Sequence, residues 1–239
     1  MSDLPEMPED IKKQLEEAVS TKDAPDTFLE NHNLMQLFPT PLFIGNLKES
    51  EMHVVDELEK TILELVEKKE GFFEAGNYTS DDLLHAPGRG FDKLSEIVLT
   101  EANTICDFLK IKRDGLYISG MWANVTNPNH RHPVHIHPNS LLSGILYIKS
   151  PPKCGKTVFT DPRPGARVFE PSYEQMHEFN SGLFQYPPTR GQMLMWQSFL
   201  THGVERGFCE DENDMRIVVA FNVMMVGKIE TMTGKLELN

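Results

Sequence analysis

The residues with the clearest chemical potential are three histidines in two separated segments. His135 and His137 form a His-x-His pair in "HPVHIHPNS", and His202 follows much later in "WQSFLTHGVERG". Residues two apart on an extended strand project from the same face, so both imidazoles of the pair can reach one ion. The sequence therefore predicts a metal site built from these histidines.

An arginine downstream of His202 adds a second part to this constellation. Arg216 begins the apolar run "RIVVAFNVMMV", which is typical of a buried strand. An unpaired buried guanidinium is costly, so we expect it to meet a carboxylate. A histidine pair, a distant histidine and an arginine on the next strand together indicate a site assembled from several strands.

In the order of these motifs, the chain resembles the iron(II)- and 2-oxoglutarate-dependent dioxygenases. It is most similar to a branch whose pattern includes H-x-H-P-x-S-x-x-S-G. The resemblance spans roughly the C-terminal half of the chain. The residues that carry it are Trp122 and Asn124, His135 to Tyr147, Asp161 to Arg163, Gly191 to Val204, and Arg216 to Asn222.

The resemblance implies a fold, two cofactors and a reaction. The fold would be a double-stranded β-helix, and the reaction would hydroxylate an unidentified substrate while 2-oxoglutarate becomes succinate and CO2. Iron(II) would be held on one face by three protein ligands, which leaves its other positions for the co-substrate and oxygen. Because the cofactors perform the difficult chemistry, no catalytic side chain is expected beyond the metal centre.

The ligand set departs from the pattern of the family in one place. Relatives carry a carboxylate two residues after the first histidine, and here that position is His137. We favour a site formed by His135, His137 and His202. Two alternatives stay open: His137 as the first ligand with Asn139 as a weak or water-mediated third, and Asp161 as a carboxylate ligand.

The resemblance also gives Arg216 a partner, the distal carboxylate of 2-oxoglutarate. A guanidinium matches a planar carboxylate with two parallel hydrogen bonds. Many relatives add a hydroxyl residue two positions later, but here that position is Val218. We expect another donor to assist, Tyr147 in the first place, with Asn124 and Ser143 as weaker candidates.

The N-terminal half is predicted to be mainly helical. Residues 1–33 are interpreted as an acidic helix and linker, and residues 34–239 as the dioxygenase domain, with flanking helices within 50–112. The predicted apolar helix faces are Val55, Leu58, Ile62 and Leu65, and then Leu94, Val98, Ile105 and Leu109. The run LMQLFPTPLFIGNL is predicted to form a strand at a sheet edge, because it contains Pro39 and Pro41.

From Gly115 onward the periodicity changes to that of short strands. These runs lie between Gly, Pro, Asn and Asp turn signals, without helices among them. The sequence therefore predicts a mainly β protein with flanking helices, in the α+β class, whose jelly-roll, cupin-like core spans about 115–228. The predicted strand runs are LYISGMWANVT, PVHIH, LLSGILYIK, KTVFTD, ARVFE, LFQYPP, GQMLMWQ, THGVER and MRIVVAFNVMMV.

Composition limits the possible partners. The formal net charge of −13 disfavours nucleic acid and anionic membranes, so the expected substrate is a small molecule or a peptide. No segment has the length of an apolar membrane span or the pattern of a signal peptide, and the three cysteines show no paired spacing. We therefore expect a cytoplasmic protein, whose oligomeric state the sequence does not determine.

Two other functions compete with the dioxygenase. One is a cupin-like, three-histidine metalloenzyme that does not use 2-oxoglutarate, and the other is a non-catalytic jelly-roll binding protein. Arg216 discriminates against the first, because such an enzyme has no need of an arginine at the co-substrate end.

Overall fold

The computed structural model describes residues 37–74, 77–83, 90–127, 129–163, 165, 168–177, 179–209, 211, 214–230 and 233–238. Contacts divide the chain into Met1–Thr40 and Pro41–Asn239, and all elements described below belong to the second unit. The predicted acidic helix at 1–33 lies outside the described residues. That helix and the predicted domain boundary therefore stay predictions.

Helices come before most of the strands in this unit. Helix α1 (Met52–Lys68) follows a 3-10 turn at Glu49–Glu51, and helix α2 is Phe91–Phe108. The described strands are β1 (Leu42–Asn46), β2 (Phe72–Glu74), β3 (Asn77–Thr79), β4 (Gly115–Thr126), β5 (His132–His135), β6 (Leu142–Lys149), β7 (Thr157–Thr160), β8 (Leu183–Tyr186), β9 (Gln192–Gln197), β10 (His202–Val204), β11 (Arg216–Glu230) and β12 (Lys235–Leu238).

The larger sheet is antiparallel and buries its two faces differently. Its strand order is β1-β9-β6-β11-β4-β3-β2, and β12 also pairs with β11. Strand β1 lies at an edge, as Pro39 and Pro41 predict. Side chains alternate along a strand, so the odd-numbered residues of β11 face the helices. These residues, Ile217, Val219, Phe221 and Val223, form one core with the apolar faces of α1 and α2.

A second core lies between the larger sheet and a smaller one. The smaller sheet has the antiparallel order β5-β10-β7-β8. Phe159 of β7 packs against side chains of the larger sheet, and this core consists of Tyr147, Phe159, Leu194, Trp196, Leu200 and Val218. Two facing antiparallel sheets with helices on one outer side confirm the predicted jelly roll.

Several local predictions are wrong. Residues 168–170 of the predicted run ARVFE form no strand, and β2 and β3 lie between the two helices, where no strand was predicted. They form a hairpin that extends the larger sheet, because β3 pairs with β4. The run PVHIH forms a strand only as far as His135, so His137 lies just beyond β5. No helix in the described residues is long and apolar enough to cross a lipid bilayer.

Gly144 tests how tightly the central strands are packed. A Cβ atom at Gly144 would lie 2.5 Å from Cε2 of Phe221 and 2.6 Å from the backbone oxygen of Leu194. We predict that Gly144→Ala lowers the free energy of unfolding by about 1 to 3 kcal/mol, because a filled core must shift to admit the methyl group. Chemical denaturation measures this change.

Gly45→Ala is the matched control for this prediction. Gly45 lies in edge strand β1, where no atom comes within 4 Å of the added Cβ. Its replacement is expected to leave stability unchanged or raise it by about 0.5 kcal/mol, since alanine suits a strand better than glycine. Equal destabilisation at the two positions would contradict the packing around Gly144.

Candidate metal centre

The structure brings the three predicted histidines together at one end of the smaller sheet. His135 ends β5 and His202 begins β10, and the two residues are directly paired in register. His137 follows β5, and its backbone N–H donates to the backbone oxygen of Ser198 at 3.1 Å. One ligand atom from each histidine lies within 4.8 Å of the others. The position of His137 beyond the strand does not prevent this convergence.

Each imidazole donates its Nδ1–H to an oxygen of the protein. His135 Nδ1 lies 2.9 Å from the backbone oxygen of Pro133, and His202 Nδ1 lies 2.8 Å from that of Leu200. His137 Nδ1 lies 2.7 Å from Oδ1 of Asn222. A carbonyl oxygen only accepts, so Nδ1 carries the proton and Nε2 of each neutral ring keeps its lone pair. This is the arrangement by which proteins orient histidine ligands.

Two of these lone pairs face one another. Nε2 of His135 and Nε2 of His137 are 3.1 Å apart, and with both Nδ1 atoms protonated no hydrogen lies between the neutral rings. That contact is repulsive unless a cation occupies the space between the nitrogens. At metal–nitrogen distances of about 2.1 Å, ligands at right angles are about 3 Å apart. The spacing therefore fits two neighbouring ligands of one octahedral ion.

Burial lowers the pKa of two histidines of this cluster. Desolvation lowers the pKa of His202 to about 3, with smaller downward contributions from the neighbouring histidines. Desolvation also lowers the pKa of His137, although its hydrogen bond to Asn222 acts in the opposite direction. Only neutral imidazole binds a metal ion, so His137 and His202 can act as ligands near neutral pH without first losing protons.

The alternative third ligands are placed less favourably. Asp161 forms an ion pair with Arg163 at 2.6 Å. Asn139 is an exposed turn residue with a left-handed φ of 59°. Among the described residues, no carboxylate or thiolate joins the three histidines in a cluster of metal-binding groups. This arrangement favours the three-histidine set.

Arg216 lies at the start of β11 with its guanidinium buried, since only 4 % of the residue is exposed. Its Cζ lies 5.4 Å from the centre of the Tyr147 ring, and Nη2 is 3.4 Å from Oγ1 of Thr157. The Tyr147 hydroxyl contacts the same Oγ1 at 2.6 Å. Nε of Arg216 has no hydrogen-bond partner in the described part of the chain. A buried guanidinium with an unused N–H suits a bound carboxylate.

The two weaker candidates for the co-substrate lie elsewhere. Ser143 hydroxyl contacts Ser198 Oγ at 2.7 Å and Asn222 Oδ1 at 2.9 Å, so it lies beside the hydrogen bond of His137. Asn124 accepts a hydrogen bond from the Thr79 hydroxyl at 3.0 Å. Of the three proposed helpers, the structure places only Tyr147 against Arg216.

Sequence reasoning missed Thr157 and the role of Asn222. Thr157 lies in the short strand run KTVFTD, whose alternation gives no hint that its hydroxyl contacts Arg216. Asn222 ends the segment Arg216 to Asn222, which is one of those that carry the resemblance, and this position was a usable signal. The two tryptophans also lie against the cluster. Trp122 stacks on His137 at 5.8 Å between ring centres, and Trp196 lies 4.6 Å from His202.

A comparison with protein families matches the segment that holds this cluster. Residues 120–222 match a family described as "Putative 2OG-Fe(II) oxygenase". The matched segment contains all three histidines, Tyr147 and Arg216. No curated protein matches the sequence.

Solved structures of the same fold extend the comparison. A prolyl-4-hydroxylase from Pseudomonas putida is 13% identical, covers 79% of this chain and 94% of its own, and has a TM-score of 0.54. HygX from Streptomyces hygroscopicus, solved with nickel and 2-oxoglutarate bound, is 13% identical with coverages of 77% and 82% and a TM-score of 0.52. A Trichoplax adhaerens prolyl hydroxylase, in complex with a hypoxia-inducible-factor peptide fragment, is 12% identical with coverages of 77% and 83% and a TM-score of 0.53. At these identities the likeness to solved structures establishes the fold alone. The family match over residues 120–222 supports a relation to the 2OG-Fe(II) oxygenase superfamily.

Removal of one histidine is expected to disable the cluster. We predict that His135→Ala or His202→Ala weakens binding of Ni(II) or iron(II) more than about 100-fold, because two imidazoles hold a labile divalent ion poorly. Calorimetric titration of the metal-free protein measures the affinity. His177→Ala is the control, since this exposed histidine lies outside the cluster. Parental affinity in both cluster variants would contradict the assignment.

The departure from the family pattern can be tested separately. We expect His137→Asp to bind iron(II) at least as well as the parent, because a carboxylate at this position supplies charge as well as an oxygen ligand. The same titration reports the affinity. Complete loss of metal in this variant would show that an imidazole is required at position 137.

Proposed function

We propose that this protein, whose fold and matched segment relate it to the 2OG-Fe(II) oxygenase superfamily, is an iron(II)- and 2-oxoglutarate-dependent oxygenase that hydroxylates its substrate. The observation that carries the proposal is the pairing of two features inside one barrel. Three unprotonated Nε2 atoms converge at one end of the smaller sheet. A buried arginine with an unused N–H lies on the face of the larger sheet that packs against the smaller one.

The histidine cluster fits iron(II) in its donor atoms. His135, His137 and His202 would supply three neutral nitrogen ligands, a set that suits iron as well as zinc, copper and nickel. When bound, iron(II) and 2-oxoglutarate together activate oxygen, and succinate and CO2 are released as the substrate is hydroxylated. The side chains of the protein orient the ligands, keep the pocket dry and bind the co-substrate.

Charge balance supports 2-oxoglutarate as the co-substrate. A site of three neutral imidazoles leaves both positive charges of the ion uncompensated, whereas the usual set with one carboxylate compensates one of them. The dianion of 2-oxoglutarate would supply two negative charges, one at the metal and one at Arg216, so that only one of the three positive charges would stay uncompensated. A dry, low-dielectric pocket makes this complementarity stronger than it would be in water.

The far end of the co-substrate would be held by a buried trio of side chains. Arg216 supplies the positive charge, and Tyr147 and Thr157 supply hydroxyls linked to each other and to the guanidinium. Burial raises the pKa of Tyr147, although the nearby Arg216 partly offsets this effect. The phenol therefore stays protonated and can donate to a carboxylate. Thr157 would supply the hydroxyl that many relatives carry two positions after the arginine, where this chain has Val218.

The substrate is proposed to be a small molecule or a peptide. The Trichoplax structure contains a peptide fragment, and the net charge of −13 disfavours nucleic acid as a partner. The segments that would select the substrate, near residues 77–89 and 163–181, carry no recognisable motif. Residues 84–89, 164, 166, 167 and 178 of them lie outside the described residues. A cytoplasmic location stays a prediction from composition.

A three-histidine metalloenzyme that does not use 2-oxoglutarate is the second candidate. It is favoured by one observation, the lack of a carboxylate in the described metal cluster. Arg216 argues against it, because a buried guanidinium without a carboxylate is costly and serves no purpose in such an enzyme. A non-catalytic jelly-roll protein would have no reason to orient three lone pairs toward one point.

Arg216→Ala separates these candidates. We predict that this variant keeps the parental affinity for iron(II) but binds 2-oxoglutarate roughly thirty-fold more weakly or worse, since a buried charge-assisted pair is worth about 2 to 5 kcal/mol. The measurement is an anaerobic titration of 2-oxoglutarate into the iron(II) form, followed by the metal-to-ligand absorption band. Arg190→Ala is the control, because this arginine pairs with Asp56 and Glu59 at the surface.

Three outcomes of the titration have different meanings. The thirty-fold loss in Arg216→Ala supports the oxygenase. Equal affinity in both proteins would overturn the role of Arg216. An absence of binding in the parent, together with no iron-dependent conversion of 2-oxoglutarate to succinate, would overturn the proposed function itself.

Removal of the tyrosine hydroxyl is expected to have a smaller effect. Tyr147→Phe keeps the ring beside Arg216 but deletes one donor, which costs about 1 to 2 kcal/mol. The affinity for 2-oxoglutarate should therefore fall roughly five- to thirty-fold in the same titration, with iron binding unchanged. An unchanged affinity would show that the phenol only supports Thr157.

A further inference from the structure

We infer that Asn222 is a positioning residue for His137, whose side-chain oxygen fixes the imidazole in the tautomer that presents Nε2 to a metal ion. The inference rests on the proposed function only in treating His137 as a ligand. It explains how a histidine can work at the position where relatives carry a carboxylate.

His137 is oriented by a different kind of group from the other two histidines. His135 and His202 donate Nδ1–H to the backbone oxygens of Pro133 and Leu200, which cannot be changed by substitution. His137 lies just beyond the strand, and its Nδ1 instead donates to Oδ1 of Asn222 at 2.7 Å. The tautomer of this one ring therefore depends on a single side chain.

An amide selects the correct tautomer only if its oxygen faces the ring. If the amide of Asn222 were reversed, its N–H would face Nδ1 of His137, which would then have to accept. The proton of the neutral ring would move to Nε2, and this atom could no longer bind a metal ion. The orientation of the amide therefore decides whether His137 can be a ligand.

Two serines hold the amide in the productive orientation. The Ser143 hydroxyl donates to Oδ1 of Asn222 at 2.9 Å, and it contacts the Ser198 hydroxyl at 2.7 Å. Because Ser143 donates to Oδ1, the Ser198 hydroxyl is left to donate to Ser143, and both hydrogen bonds then run toward an acceptor at Oδ1. Both serines are buried, so water does not compete with this network. The backbone oxygen of Ser198 also accepts from the backbone N–H of His137.

The backbone and a tryptophan complete the arrangement. Asn222 pairs with Ser143 of β6 on one side and with Gly120 of β4 on the other, and the register of β4 shifts directly after it. Such irregularities change the direction of side chains beside functional sites. Trp122 lies against the face of the His137 ring, with 22° between the planes. The ring is thus held at its edge by Asn222 and on its face by Trp122.

The first test measures the tautomer in the metal-free protein. Nitrogen-15 NMR of the imidazoles is expected to show Nδ1–H for His137 in the parent and in Asn222→Asp, where an acceptor remains. Asn222→Leu removes the acceptor, and a substantial fraction of Nε2–H is then expected. Met224→Leu, on the same face of β11, is the control and should match the parent. A role limited to packing would leave the tautomer of His137 unchanged in Asn222→Leu.

The second test measures Ni(II) affinity by calorimetry. Loss of a group that orients a ligand typically costs 10- to 100-fold in metal affinity, so Asn222→Leu should bind Ni(II) about 10- to 100-fold more weakly than the parent. Asn222→Asp should restore the affinity. Parental affinity together with a parental tautomer in Asn222→Leu would overturn the inference.

Two further outcomes distinguish a variant that does not fold, or a failed metal centre, from a failure of the inference about Asn222. If Asn222→Leu does not fold, Ser143→Ala releases the amide while leaving Asn222 in place. It should then show mixed tautomers of His137, whereas a pure Nδ1–H form would contradict the orienting role of the serines. If the parent binds no Ni(II), the metal centre fails as a proposal, while the NMR result still decides whether Asn222 sets the tautomer.

Discussion

The structure depends on one electrostatic constraint, the approach of three unprotonated imidazole nitrogens to a common point. Nε2 atoms of His135 and His137 lie 3.1 Å apart, a distance at which lone pairs repel without a cation. Rigid neighbours must impose this arrangement. Pairing of β5 with β10 fixes His135 against His202, and the hydrogen bonds of the three Nδ1 atoms fix the ring orientations. The protein thereby maintains a geometry that becomes favourable when an ion binds.

The inner face of β11 links the two ends of the pocket. Arg216 and Asn222 lie six residues apart on this face, which is about 20 Å along an extended strand. Val218 and Ala220 lie between them and are buried. The outer face of the same strand belongs to the core shared with the helices. One strand thus joins the folding core to Arg216, the proposed anchor for the co-substrate, at one end and to the acceptor of His137 at the other.

The sequence predicted those parts of the site that depend on residue type and spacing. The His-x-His pair, His202, and an arginine at the start of an apolar strand all define chemistry that few other arrangements explain. Tyr147 was predicted to assist Arg216 from the resemblance, and its ring lies 5.4 Å from Cζ of that arginine. The predicted jelly roll followed from many short strands and turn residues, and the structure confirms it.

Other parts could not be predicted because they depend on neighbours distant in sequence. Thr157 contacts Arg216 only because β7 of the smaller sheet lies against the larger sheet. Ser143 was expected at the co-substrate, yet pairing of β6 with β11 places its hydroxyl beside Asn222. Strand β5 ends at His135 rather than at His137, and no local pattern indicated that the backbone of His137 would instead bond to Ser198.

A crystal structure of the protein loaded anaerobically with iron(II), with anomalous data collected at the iron edge, tests the central claim most directly. We expect one anomalous peak about 2.1 Å from Nε2 of each of His135, His137 and His202, with the Nδ1 contacts retained. A peak bound through Asp161 or through Nδ1 atoms, or no peak between the three rings at full iron loading, would contradict it.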